Sequence, residues 1–436
     1  MIKIVFSFLI FTFSFSTVFS QETVRVLQYN LLYYGTYPSF CPVEVNDPDL
    51  KEGYLKTIID YVQPDVFCVN ELGDGNTYAG RILDNVINSD NPGKFKRGVS
   101  TNNGFSSIVN MLYYNSEKLI LYSQEQVSKD LNNDNLARII DLYTLYFNDA
   151  NLSQTNDTIF ITFIVAHLKA GSSSSDQLRR ELETAALMKL LENKDMPSNI
   201  IFSGDFNVRS SNENSFQNLI NYTNPLIRFY DPINQLGTWY GNTNYSNIHT
   251  QATRITGQTN GGCFAGGGSD DRFDFILISQ AIKDNLLKVQ YLTDSYTVPG
   301  QDGNRFNQSL IDPPNFSAPA NVITALYEMS DHYPVYLDLN VELVLNNVKI
   351  KREEAEIIFK NPIADFLDLH VKWINCQSLS IEIINLTGSI ILRENINGEN
   401  GSYYYNANIS GFAPGMYLIK ISNKEGIYFS RKMLKQ

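Results

Sequence analysis

The chain has 436 residues, 43% of them hydrophobic and 18% charged, with 26 Tyr and 26 Phe. That composition excludes disorder, collagen-like repeats and coiled coil as overall descriptions, and the length points to two domains when a large α/β unit counts once. The net charge of −12 is uneven: residues 21–341 hold 22 Lys+Arg against 36 Asp+Glu, and residues 342–436 hold 11 against 10. An acidic body argues against a binder that grips nucleic acid by broad electrostatics, and leaves room for an enzyme that meets phosphate through a metal ion.

Residues 1–20 read as a secretory signal peptide. Lys3 supplies the positive end, Ile4 to Phe15 an apolar core broken by small hydroxyl residues, and Val18-Phe19-Ser20 a cleavage region before Gln21. A membrane anchor is the weaker alternative, because the run falls short of the roughly 20 apolar residues of a span. No later segment is long and apolar enough to cross, so no stable membrane span is expected. Export permits disulfides, yet four cysteines in so long a chain make no disulfide framework. Cys68, inside the apolar run Val66–Val69, is expected to be a reduced core residue. Cys41 and Cys263 lie in Gly/Pro-bearing stretches and are candidates to pair, which geometry has to decide.

Short apolar runs then alternate with amphipathic ones. Strands are expected at Val24–Tyr29, Val66–Val69, Ser107–Tyr114, Ile139–Phe147, Ile159–Ala166, Ile200–Ser203, Phe273–Ile278 and Val335–Leu339. Helices are expected at about Leu50–Val62 and Asp176–Glu192, the second with Leu178, Leu182, Ala185, Ala186 and Leu190 on one face. The interleaving predicts an α/β layered core. Asn242–Ser269, full of Asn, Thr and Gly, reads as a loop long enough to be functional. After about residue 341 a linker, 342–353, leads into residues 354–436. There short strands punctuated by Asn361-Pro362, Thr387-Gly388 and Pro414-Gly415 predict a small all-β sandwich.

The chemistry concentrates at strand ends. Gly204-Asp205-Phe206-Asn207 follows a buried strand, where polar residues of an open α/β sheet face the active-site crevice. Asp205 is suited to orient a nucleophile, and the neutral Asn207 amide to bind a developing oxyanion; alone, the fragment could equally be a turn with a helix cap. Glu71 ends the strand from Val66, offering an oxygen ligand to a hard cation. Asn30 and His167 likewise end strands, and each taken singly has a bland reading as a capping or turn residue. Ser330-Asp331-His332 precedes another strand, with Asp274 as the carboxylate to hold His332 as a general base. Four apolar strands ending in such side chains make the bland reading a poor one.

In this order and spacing, Asn30, Glu71, His167, Gly204-Asp205-Phe206-Asn207, Asp274 and Ser330-Asp331-His332 resemble the endonuclease/exonuclease/phosphatase superfamily, of the deoxyribonuclease I-like type, over about residues 24–340. The resemblance implies an α/β four-layer sandwich, two packed mixed sheets flanked by helices, as the catalytic domain of residues 21–341. It implies a divalent metal, Mg2+ first with Ca2+ or Mn2+ as alternatives, on Glu71 with Asn30 and Asp331 nearby. It also implies phosphoester hydrolysis by in-line attack of water: His332 backed by Asp274 activates the water, Asp205 orients it, Asn207 binds the phosphoryl oxygen, and His167 stands near the leaving group. Arg138 falls at a phosphate-contacting position, a surface arginine being the equal alternative. His249 and Arg254, in a loop with Gly261-Gly262 and Gly266-Gly267-Gly268, resemble a substrate-side loop of secreted bacterial nucleases, a flexible surface loop being the alternative. One departure stands out: near Ser106-Ser107 there is no carboxylate to support His167, so the ion or its water is the alternative helper of the leaving group.

The tail has its own resemblance. Ile358-Phe359-Lys360-Asn361-Pro362, Ile381–Gly388, Gly415–Ile421 and Lys432–Lys435 are similar to the type IX secretion sorting domain. This implies a Bacteroidetes-type double-membrane bacterium, passage across both membranes, and release or surface attachment. The expected whole is a secreted, monomeric endonuclease acting on DNA or RNA, with the secretion machinery as its partner. The alternatives are a sphingomyelinase-like phosphodiesterase or phosphatase, for which Thr238-Trp239-Tyr240 is the nearest membrane-docking candidate, and a catalytically silent adhesion protein.

Overall fold

The computed structural model describes residues 19–102, 104–149, 152, 158–194, 198–255, 262–344, 355–373, 378–386, 388–397, 401–423 and 428–436. Nearly all of the expected signal peptide and linker lies outside these residues, as does part of the glycine-rich loop. The chain divides into two compact units, Met1–Asn346 and Asn347–Gln436.

In the first unit, strands β1 (Phe19–Tyr34), β2 (Val66–Gly73), β3 (Phe95–Arg97) and β4 (Ile108–Asn115) join β11 (Val289–Tyr291) and β12 (Val335–Val344) in one sheet. Its order is β11-β12-β1-β2-β4-β3. Strands β5 (Leu119–Lys129), β6 (Asn135–Phe147), β7 (Phe160–His167), β8 (Asn199–Asp205), β9 (Phe229–Tyr230) and β10 (Asp274–Ser279) form the other, in the order β5-β6-β7-β8-β10-β9. Both sheets are mixed: β1/β2 and β7/β8 run parallel, and the other pairs antiparallel. Every residue of β2, β4 and β8 is buried, as strands covered on both faces require. β1, β2 and β4 lie against β6, β7, β8 and β10, and side chains of both sheets, among them Val69, Met111, Phe163 and Ile276, share one core.

Helices cover the outsides. α1 (Pro48–Val62) begins where the Asp47 side chain accepts the Asp49 N–H, with Pro48 in the first turn where its missing donor costs nothing. Its buried stripe packs beside the later helix Ala320–Met329 on the first sheet. After α2 (Asn76–Arg81), α3 (Ser174–Asn193) starts in a capping box between Ser173 and Asp176. It covers the second sheet together with α4 (Asn214–Ile220), through Leu187, Met188, Phe216 and Phe202. The set closes with α5 (Gln280–Lys283) and α6, the Ala320–Met329 helix already met. The unit is the α/β four-layer sandwich that the sequence leads one to expect.

The second unit, among its described residues, is all-β, and its strand pairs run antiparallel. β13 (Ala355–Phe359), β14 (Phe366–Trp373) and β17 (Ser402–Asn408) form one sheet; β15 (Ser378–Asn385), β16 (Ile390–Asn397), β18 (Gly415–Ser422) and β19 (Tyr428–Lys435) form the other. Alternating inward residues of both sheets, such as Leu367, Leu369, Val371, Ile381, Ile383, Ile419 and Ile421, make a single core. No helix among the described residues is long and apolar enough to cross a membrane.

Candidate active site

The two parallel pairs set the site. Asn30 pairs with Asn70 near the ends of β1 and β2, just before their register shifts and one residue before Glu71, and His167 pairs with Asp205 at the ends of β7 and β8. Because the sheets face each other, four strand ends converge. β10 runs antiparallel to β8 and brings Asp274 opposite Asp205. β12 runs antiparallel to β1, so Ser330 to His332 precede it beside the end of β1, where Ser330 Oγ donates to the Asn30 carbonyl at 2.8 Å. Gly204 is indispensable here: at φ +150° its absent Cβ would lie 1.8 Å from the Ala166 carbonyl oxygen. Glu71 (φ 57°) and Asn207 (φ 53°) both occupy the left-handed region, the kind of backbone strain that collects at functional sites.

Glu71, His167 and Asp205 are buried, and one ligand-type atom from each lies within 4.8 Å of the others. Asn30 ties the group together, its Nδ2 donating to Glu71 Oε1 and Asp205 Oδ2, both at 3.1 Å. The Tyr33 N–H donates to Glu71 Oε2 at 3.0 Å, and the Asp205 N–H to Asn70 Oδ1 at 2.9 Å. Asp331 accepts from the Ala265 N–H at 2.9 Å through Oδ2, while its Oδ1 is buried without a partner. Burial, reinforced by Asp331, raises the Glu71 pKa, and burial likewise raises that of Asp205.

The two histidines differ sharply. His332 Nδ1 lies 2.7 Å from Asp274 Oδ2, and since a carboxylate only accepts, Nδ1 carries the proton. Its Nε2 lies 2.7 Å from Gln251 Nε2 and 3.7 Å from Asp205 Oδ2. Burial works against charge on this ring, but Asp274, with Asp205 and Asp331 behind it, outweighs burial and raises the pKa well above the usual histidine value. His167 has its Nε2 3.4 Å from Asp205 Oδ2 and a buried Nδ1 without a partner. Burial, helped by the Arg138 and His332 charges, drives its pKa well below the ordinary value. The unpartnered Nδ1 fits the missing carboxylate near Ser106-Ser107.

Of the expected residues, Asn30, Glu71, His167, Asp205, Asp274, Asp331 and His332 are thus brought together. Asn207 stands two residues beyond Asp205, its N–H donating to Asp205 Oδ1 at 3.0 Å and its Nδ2 to the Leu168 carbonyl at 3.3 Å. Arg138 borders the cluster, but its Nε and Nη2 donate to the carbonyls of His167 and Leu168 at 2.8 and 2.6 Å, so it braces the strand end. Asn30 turns its amide nitrogen to the carboxylates, its oxygen being taken by the Leu32 N–H at 3.0 Å. His249 and Arg254 are placed elsewhere. His249 is fully buried with Nε2 on the Trp239 carbonyl. Arg254 is buried between the rings of Phe264 and Tyr327, its Nη2 on the Tyr327 carbonyl. Both side chains are thus turned into the body, where they hold the long loop. Trp239 is fully buried too, with its indole N–H on the Gln235 carbonyl, and forms no membrane-docking surface.

Sequence reasoning missed Asn70 and Gln251, which steady Asp205 and His332, and the backbone N–H groups of Tyr33 and Ala265. Cys41 and Cys263 are bonded to each other, and Cys68 is a free, buried thiol whose pKa burial pushes up to about 12.

Residues 357–436 match the family of secretion system C-terminal sorting domains, so the chain carries an export address in its all-β unit. No curated protein matches the chain in sequence. Solved structures similar to it include the human Nocturnin catalytic domain with bound sulfate anion, at 13% identity and TM-score 0.43 over 74% of this chain and 97% of that one. D. rerio TDP2 complexed with single strand DNA product is 14% identical, TM-score 0.43, over 73% and 99%. An endonuclease/exonuclease/phosphatase from Beutenbergia cavernae is 14% identical, TM-score 0.38, over 94% and 99%.

Proposed function

We propose that this chain, which bears a sorting domain for export, is a secreted, divalent-metal-dependent phosphodiester hydrolase that cleaves extracellular DNA or RNA. The observation that carries the reading is the His332–Asp274 pair at 2.7 Å facing the buried group of Glu71, His167 and Asp205. Two buried carboxylates side by side, with Asp331 Oδ1 unpartnered nearby, are costly without a cation between them. The carboxylate oxygens are a donor set that fits Mg2+, Mn2+ or Ca2+, with the His167 imidazole left outside it. Glu71 and Asp205 would hold the ion, with Asp331 beside them and Asn30 orienting both carboxylates. When bound, it supplies positive charge that offsets the carboxylates and a phosphoryl oxygen.

The rest of the chemistry belongs to the chain. His332 Nε2 takes a proton from the attacking water, and Asp274 holds the ring and stabilises the cation formed. Part of what raises the His332 pKa is removed when a cation offsets Asp205 and Asp331, and the Gln251 amide on Nε2 favours the neutral ring that a base must be. Asp205, 3.7 Å from His332 Nε2, fixes the water's direction. The Asn207 amide is neutral and so can donate to the phosphoryl oxygen without quenching local positive charge. His167 is kept neutral by burial and Arg138, and at the leaving-group side it orients rather than delivers a proton.

A cationic substrate patch is not required, because phosphate is met inside the site. The test is hydrolysis of duplex DNA, RNA, sphingomyelin and a small phosphate monoester, with magnesium and with chelator. Chelator-sensitive cleavage of DNA or RNA, lost in Asp205→Ala and His332→Ala, supports the reading. Cleavage of lipid or monoester alone makes the substrate assignment wrong, and no cleavage of any favours a silent adhesion protein. In the bacterium, we expect passage across both membranes by the type IX route.

A further inference from the structure

Helix α1 buries Pro48, Lys51, Leu55, Ile58, Ile59 and Val62, so a lysine occupies a position of the apolar stripe. Lys51 is 3% exposed. Its ammonium donates to the carbonyls of Leu31 at 2.7 Å and Leu32 at 2.8 Å, and to Asn46 Oδ1 at 2.7 Å. All three donors are used and every acceptor is neutral, an expensive way to bury a charge. Burial brings its pKa down to about 7, against the opposing pull of Asp331 and Glu71. Leucine or methionine would fill the stripe without that cost, so packing does not explain the residue.

The turn it grips does. Leu32 (φ 48°) and Tyr33 (φ 49°) are consecutive left-handed residues with large side chains, a conformation that has to be held from outside. On one side the carbonyls of Leu31 and Leu32 meet Lys51, and Asn46 Nδ2 donates to the Tyr33 carbonyl at 3.0 Å. On the other side the Leu32 N–H fixes Asn30 Oδ1 and the Tyr33 N–H fixes Glu71 Oε2, each at 3.0 Å. The turn therefore links the ammonium to the two side chains at the ends of β1 and β2.

We propose that Lys51 is a positioning residue of the metal centre: from behind the site it pins the Leu31–Tyr33 turn, and thereby sets how tightly Glu71 and its neighbours bind a divalent cation. The inference rests on the metal-dependent reading above. Its test is Mg2+ and Mn2+ binding to the full-length protein without substrate, by calorimetry and by the metal-induced rise in Tm. Lys51→Met should weaken binding at least tenfold with the far-UV spectrum retained, and Asn46→Ala about threefold or more. A purely structural role would lower the metal-free Tm and leave the metal-induced rise intact. A folded Lys51→Met with affinity within twofold of the parent overturns the proposal, and if that variant does not fold, an unchanged Asn46→Ala overturns it. A parent that binds neither ion sinks the metal reading itself, and the role of Lys51 with it.

Discussion

The Cys41–Cys263 disulfide offers the sharpest quantitative test of how the site is fastened. It joins the segment after β1 to the loop whose Ala265 N–H holds Asp331, and both cysteines are packed with Leu32 and Phe264. The bond spans a sequence separation of 222; chain entropy for a closed loop of that size gives about 5 kcal/mol of stabilisation, an upper figure. For a unit of roughly 300 ordered residues, with an unfolding entropy of about 0.6 kcal/mol/K, this corresponds to a fall in Tm of about 8 °C. Calorimetry on Cys41→Ala/Cys263→Ala against the parent, each with and without reductant, measures it. Reduced parent and oxidised double variant should coincide, and reductant should leave the double variant unmoved. A double variant melting within about 1 °C of the parent would refute the reasoning, since the loop would then be held by packing alone.

Asp274→Asn should lower kcat by roughly three to four orders of magnitude, because His332 loses the charge that fixes its tautomer; steady-state kinetics should find metal affinity little changed. Gly204→Ala should destabilise by more than about 3 kcal/mol or prevent folding, as its methyl would strike the Ala166 carbonyl; denaturant titration checks this. Asp141 is fully buried and burial lifts its pKa to about 7, well above the unfolded value near 4. A raised acid keeps its contribution at low pH and loses it as pH climbs from about 4 to 7, a slope worth up to about 4 kcal/mol. Denaturation across that window should show the slope, and Asp141→Asn should reduce it, the remainder belonging to Glu183, Asp205 and Asp271, which burial also raises.

Much of this was legible because periodicity is local. β1, β2, β6, β7, β8 and α1 are recovered from their apolar runs to within a few residues, since each is buried on a face its own sequence displays. The short strands β3, β9 and β11 escape because three residues or fewer carry no period. β5 escapes because its pattern is half polar on an outer edge. α6 escapes as well, although Val322, Ile323, Ala325, Leu326 and Met329 are buried along it; the proline-bearing stretch before it, Pro313 to Pro319, hides where it starts.

The site divides along the same line, and the division has a physical cause. A side chain that ends a buried strand is committed to the crevice by the strand itself, so Asn30, Glu71, His167 and Asp205 can be found without knowing their neighbours. Gln251 and Lys51 act across sequence separations that no local pattern encodes: one reaches His332 over 81 residues, the other grips the Leu31–Tyr33 turn within β1 from 20 residues away. His249 and Arg254 are found buried for the complementary reason. In a glycine-rich loop they look free to meet a phosphate, yet loops this long need internal anchors, and polar side chains bonded to buried carbonyls are the anchors available. Lys51 alone left a trace in the sequence, since a charge on an apolar stripe contradicts the helix that carries it. Such a conflict between local pattern and fold is where a functional constraint is expected to surface, and here it points to the strand ends where the carboxylates gather.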